Sequence, residues 1–230
     1  MKRLIAWALF TMLAGLSATA QTAAGIDAPD LFRPLLDHRI PRFDVEDGVL
    51  LDGIAELSSM PVEELHVGFE EIIRGNVSDD RRTVDPHFSL HLKDNTVGEI
   101  LDALCASDAR YAWSIDGLSI NIYPTGEGPG YLPNLKLGRI SLKNVPDPDQ
   151  ALTPLSRLLP NEQIGYFGPG LGDNQYAQPW TVAFEQVTVR QFANRLAEHM
   201  GTRTSWVWAS GSDERMFTFA KGAFQALPSK

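Results

Sequence analysis

The chain has 230 residues, 43% hydrophobic and 21% charged, which suits one or two globular domains with a sizeable core. Its formal net charge of −9 argues against nucleic acid and anionic membrane surfaces as partners. The single cysteine, Cys105, excludes an internal disulfide, so stability must come from burial.

In chain order, Lys2 and Arg3 precede an uncharged apolar run from Leu4 to Leu16, and Ala18-Thr19-Ala20 follows. A basic start, a short apolar segment and an A-x-A site read as a secretory signal peptide over residues 1–20, cleaved after Ala20. The run is short for a membrane span, and no cysteine follows the site to carry a lipid anchor. Loss of Lys2 and Arg3 takes the charge to 18 − 29 = −11. Residues 21–41 carry Pro29, Pro34 and Pro41 with little periodicity and read as a linker, in which Leu31, Phe32, Leu35 and Leu36 can dock as a short turn.

From Arg42 to Glu46 the alternation of Phe43 and Val45 predicts a strand. Asp47 then caps a helix carrying Leu50, Leu51, Ile54 and Leu57, which Pro61 ends. Leu65, Val67 and Phe69 make the next strand, and a charged loop over 72–87 leads on. Phe88, Leu90 and Leu92 alternate. Thr96 opens a helix with Glu99 three residues on, a capping box, and Val97, Ile100, Leu101, Leu104 and Cys105 form its apolar face. Tyr111, Trp113 and Ile115 alternate, Asp116-Gly117 predicts a two-residue hairpin, and Leu118, Ile120 and Ile122 return.

Residues 124–137, PTGEGPGYLPNLKL, form a Gly/Pro-rich linker. Beyond it the pattern recurs. Ile140, Leu142 and Asn144 to Val145 predict a strand, and Asp147 to Leu159 a helix that Pro154 should kink or shorten. Residues 163–167 give another strand. After a loop over 168–179, Trp180, Val182 and Phe184 alternate, and Thr188 with Gln191 forms a second capping box. Val189, Phe192, Ala193, Leu196 and Ala197 make the helix face, Trp206 and Trp208 alternate, and Phe217 and Phe219 close the hairpin. The two caps are 188 − 96 = 92 residues apart. Strand, capping box, helix face and hairpin repeated in one order predict an internal duplication. The element order predicts an α+β chain of two tandem β-α-β-β-α-β-β units. The units span 42–123 and 138–221, with a tail at 222–230.

The run FDVEDGVLLDGIAEL, then LHVGF, then SLHLKDNTVGEILDALCASDARYAWSIDGLSINI, resembles the secretin and TonB short N-terminal domain. The likeness is best over 42–123, weaker over 188–221 and weakest over 139–167. It implies compact α+β modules, with helices packed on small mixed sheets, that bind other envelope proteins and carry no catalytic site. The expected role is a non-enzymatic protein–protein interaction module of the bacterial cell envelope, located in the periplasm or secreted, with an envelope protein as partner and no cofactor. The chain departs from that family in ending soon after the second unit, with no pore, plug or barrel, so receptor or secretin function is not implied. The alternative is a secreted carbohydrate-binding protein or enzyme with a cleft between its halves.

The residues that could carry chemistry show no catalytic or metal-ligating spacing. His87 and His91 fall on one strand roughly 13 Å apart, too far to share an ion. His38, His66 and His199 have no ligand spacing around them and read as solvated. Cys105 on an apolar helix face reads as an inert small hydrophobe. Glu63-Glu64, Glu70-Glu71 and Asp79-Asp80 read as solvated surface, and Trp113, Trp206 and Trp208 as core rather than a sugar platform. The glycine-rich loop after Phe167 has only Asp173 as a charge, and Phe167, Leu171, Tyr176 and Trp180 in and around it are the candidate partner contacts.

Overall fold

A computed structural model describes residues 33–62, 65–73, 85–128, 130–159, 162–166, 179–201, 203–210 and 215–221. The signal-like segment, most of the linker after it and the tail lie outside them. The first half contains α1 (Arg33–Leu36), β1 (Arg39–Gly48), α2 (Leu50–Ser59), β2 (His66–Ile72), β3 (Phe88–Thr96), α3 (Val97–Ser107), β4 (Tyr111–Asp116) and β5 (Ser119–Pro124). The second contains β6 (Ile140–Val145), α4 (Pro148–Leu158), β7 (Gln163–Tyr166), β8 (Trp180–Phe184), α5 (Val189–Met200), β9 (Thr204–Ser210) and β10 (Arg215–Lys221). The fold is α+β, and after α1 both halves run β-α-β-β-α-β-β.

Local chemistry places these elements where the sequence predicts them. At α3 the Thr96 hydroxyl accepts from Glu99 N at 3.2 Å and Glu99 Oε2 accepts from Thr96 N at 2.8 Å. At α5 Thr188 Oγ1 accepts from Gln191 N at 3.1 Å, and Gln191 Oε1 accepts from Thr188 N at 3.0 Å. Each box satisfies two amide hydrogens that a first helical turn leaves without intrahelical acceptors. The helix after β1 differs: Val49, not Asp47, is its N-cap, and Asp52 Oδ2 accepts from Val49 N at 3.0 Å. Asp47 instead takes a left-handed backbone, φ 47°, where the β1–β3 register shifts between Val45 and Gly48. Asn144, φ 52°, sits at the matching shift between Leu142 and Val145 in the β6–β8 pair. The hairpin after β4 also moves by one residue, with Asp116 paired to Ser119 and Gly117-Leu118 as its loop. Gly117 holds φ 64°, a region glycine enters without steric cost. Pro154 lies within α4, which continues to Leu158; Leu152 and Leu155 are buried, but Leu158 is exposed.

The pairings match between the halves. β1 and β3 form a two-stranded antiparallel sheet, as do β6 and β8. β2 pairs parallel with β5, and β5 antiparallel with β4; β7 pairs parallel with β10, and β10 antiparallel with β9. The sequence does not reveal the next step. The two three-stranded pieces join through a parallel β2–β9 pair into one six-stranded sheet, β4-β5-β2-β9-β10-β7.

Alternation along the strands then decides where each core sits. Val67, Phe69, Ile120 and Ile122 enter a core with α2 and α3 that includes Ile54, Leu57, Ile100, Leu101 and Leu104. Trp206, Trp208, Phe217 and Phe219 enter a second core with α4 and α5 that includes Leu152, Leu155, Phe192, Ala193 and Leu196. Gly68 pairs with Trp206 while its neighbours Val67 and Phe69 belong to the first core. The two cores therefore lie on opposite faces of the shared sheet. Linker residues finish the second core: Leu137 is buried there, with Tyr131 and Leu132 packed against it. Leu104 and Leu196 hold corresponding places on α3 and α5, and both are fully buried. Truncation of either to alanine is expected to cost about 2–5 kcal/mol in denaturant melts, and a neutral change at either would displace it from its core.

Candidate functional site at the seam of the sheet

The densest set of buried polar groups lies where the halves meet. β2 is the hub. Its residues from His66 to Glu71 are all buried, because β5 and β9 flank it and helices cover both faces. Glu70 has no exposed surface, and the Arg190 guanidinium of α5 grips its carboxylate through two donors, Nε on Oε1 and Nη2 on Oε2 at 2.8 Å. Arg190 also lies over the Tyr123 ring at 4.9 Å, so a planar cation is held between a carboxylate and an aromatic face. Burial pushes the Glu70 carboxyl up, with Arg190 acting against that rise. Burial works against the Arg190 charge, but its bonds to Glu70 carry it above the usual arginine range. The Tyr131 hydroxyl is buried without hydrogen-bond geometry to any described group.

Further contacts extend the seam. His66 Nδ1 lies 2.9 Å from the Thr204 carbonyl; a carbonyl only accepts, so Nδ1 carries the proton. Ser205 Oγ accepts from Val67 N at 3.3 Å. Trp206 Nε1 donates to Asn194 Oδ1 at 2.8 Å, and the amide of Asn194 donates to Asp116 at 3.2 Å. Glu198 Oε1 accepts from Leu118 N in the β4–β5 loop. Arg203 Nη2 donates to the Ser58 and Ser59 carbonyls at 2.9 and 3.0 Å, placing a cation at the negative end of α2. Gly68 meets the flat of the Trp206 indole, and a Cβ there would overlap its Cε2 and Cζ2 atoms.

Chemically this is a lock rather than a reaction centre. A carboxylate with no exposed surface, held by a bidentate guanidinium, meets no substrate unless the seam opens. The line between the halves, where a cleft is expected on the alternative reading, is occupied by a strand pair and its covering helix.

The expected site residues fare unevenly. Phe167, Leu171 and Tyr176 lie outside the described residues. Trp180 starts β8 and is half-buried at the edge of the second core, stacked on His199 at 4.3 Å and edge-on to Phe184 at 5.8 Å. Burial pushes the His199 imidazole down. Four side chains expected to be solvated are not, and the first is His199, half-buried against Trp180. Glu70 and Glu71 are buried rather than solvated surface: β9 pairs alongside both, α5 covers the face of Glu70, and Glu71 lies on the face of the first core. His66 is buried, not solvated, against the Thr204 carbonyl of β9. His87 and His91 do face solvent, His87 with Asp47 at 3.0 Å and His91 between Asp44 and Glu46 at 3.1 Å each. No cluster of three metal-ligating side chains occurs among the described residues. Cys105 packs against the first core, and burial pushes its thiol up to about 12, with Asp102 and Asp108 adding to the rise, so it stays a neutral thiol at physiological pH.

One signal for the seam was present in the sequence. Arg190, Asn194 and Glu198 recur every four residues, a second stripe beside the apolar face of α5. Such a stripe ordinarily faces water. No helix among the described residues is long and apolar enough to cross a membrane. Comparison with protein families, with curated proteins and with solved structures finds no match to this chain.

Proposed function

We propose that the chain is a non-enzymatic, exported binding module of the bacterial cell envelope, related to the secretin and TonB short N-terminal domain, that works by docking onto another envelope protein. The observation carrying this reading is the β-α-β-β-α-β-β order with matching strand pairings on both sides of the linker, the architecture implied by the resemblance. The seam supports it too. The fully buried Glu70 carboxylate and the Arg190 that holds it join the halves into one scaffold, and rigid scaffolds suit recognition by their loops and edges. The basic, apolar and A-x-A succession over residues 1–20 supports export.

Expression in a bacterial host tests both parts. The exported chain is expected to begin at Gln21, and N-terminal sequencing that finds Met1 would remove export from the reading. Cross-linking in the intact envelope is expected to capture one envelope protein in fixed stoichiometry. A rise in melting temperature with glycans, or any turnover, without such a partner would replace the reading with the carbohydrate-binding or enzymatic one.

A further inference from the structure

The six-stranded sheet ends in two strands that are the counterparts of the two that meet at its seam. The seam joins β2 to β9, and the free edges are β7 and β4, each paired on one side only among the described residues. Register makes the correspondence residue by residue. Trp206 pairs with Phe219, which pairs with Tyr166; Trp113 pairs with Ile122, which pairs with Phe69. Trp113 is thus to the first half what Trp206 is to the second. Gly165, preceding Tyr166, corresponds to Gly68, preceding Phe69. Even the indole hydrogen bonds match: Trp206 donates to Asn194 and Trp113 donates to Asp102 at 2.9 Å, both acceptors six residues beyond their helix cap.

We propose that β4 of a second copy of this chain adds in parallel to β7, laying its Trp113 over Gly165 as Trp206 lies over Gly68. The faces agree. Ile164 packs against the second core, so Gly165 looks to the opposite face of the sheet, the face carrying α2 and α3. A copy entering through β4 with its strand parallel to β7 returns to the orientation of the first half and brings Trp113 to that same face. Trp206 is fully buried at the seam while Trp113 is only half-buried, so docking covers apolar surface that the single chain leaves wet. The contact is head-to-tail, which leaves a β4 and a β7 edge free after every addition and gives an open series or a ring rather than a two-fold dimer. Its polar part is weaker than the seam's. Gly98 and Ala106 stand 92 positions before Arg190 and Glu198, so the Arg190–Glu70 lock has no copy there. Asp102 stands in place of the neutral Asn194, and docking sets its carboxylate at the edge of a dry contact. The assembly is therefore reversible and concentration-dependent. This inference is independent of the envelope role.

Sedimentation velocity of the full chain over a concentration series tests it. Average mass is expected to climb with concentration without stopping at a dimer. Asp102→Asn, which recreates the seam's Asn–Trp pair, is expected to lower the concentration at which mass rises. Gly165→Val puts a Cβ where the indole must lie, and Gly165 sits within the strand β7, whose backbone accepts a β-branched residue, so the monomer retains its circular dichroism but loses larger species. Trp113→Leu keeps an apolar side chain against the first core and loses them too. Mixed, Gly165→Val supplies an intact β4 and Trp113→Leu an intact β7, so a one-to-one heterodimer that grows no further is expected. A wild type and an Asp102→Asn chain that both remain monomeric up to the solubility limit would overturn the proposal. So would a closed dimer indifferent to Gly165→Val and Trp113→Leu.

Discussion

Replacing Arg190 with methionine is expected to cost about 3–5 kcal/mol near neutral pH, because it leaves the Glu70 carboxylate buried with no cation beside it. The pH dependence separates this cause from lost packing. In the native chain burial already raises Glu70 above its ordinary 4.5. The folded state therefore holds that proton more tightly than the unfolded one. Its stability contribution is present in acid and is lost as pH rises through the raised value. Arg190 is the largest influence acting against the rise, so its removal moves the carboxyl further up and extends that loss to higher pH. Denaturant melts across a pH series should show a deficit that is large at pH 7 and shrinks toward pH 4.5. Glu70→Met combined with Arg190→Met should recover most of the stability, since it replaces the pair with apolar groups of similar volume. A deficit independent of pH, or a double variant as weak as the single one, would mean that the pair acts only through packing.

The second large effect belongs to Trp206. Its ring is fully buried, lies nearly parallel to Phe217 at 5.3 Å, and covers Gly68 of the other half. Truncation to alanine is expected to cost about 3–5 kcal/mol. Gly68→Val should also destabilise, by about 1–3 kcal/mol, because its side chain enters the space of the indole. The two changes share one volume, so they should not add. In a Trp206→Ala background the valine fills part of the vacated space, and its cost should fall toward zero. Simple additivity in a double-mutant cycle would show that Gly68 and Trp206 are not in contact. Both variants are also expected to expose β2 to hydrogen exchange before the rest of the sheet, since β9 is its only partner on that side.

Much of the molecule is legible in the order of its residues. The capping boxes at Thr96 and Thr188, the apolar faces of α3 and α5 and the alternating strands are written in residues a few positions apart. Their interactions are local, so each segment specifies its own element. Small displacements show where local preference yields. Asp47 has the chemistry of a helix cap, yet it serves the β1–β3 bulge because the strand register needs a left-handed residue there. The lateral union of the halves is not legible, because it rests on pairs such as His66 with Thr204, 138 positions apart, that no periodicity announces. In a lone three-stranded piece β2 would be an edge strand, with Glu70 and His66 turned to water. Its partner β9 makes it central, α5 covers its second face, and two groups that read as solvated become the interior of a lock. Burial of a strand's polar face depends on which strand arrives beside it, and that follows from the packing of the whole chain rather than from the residues of the strand.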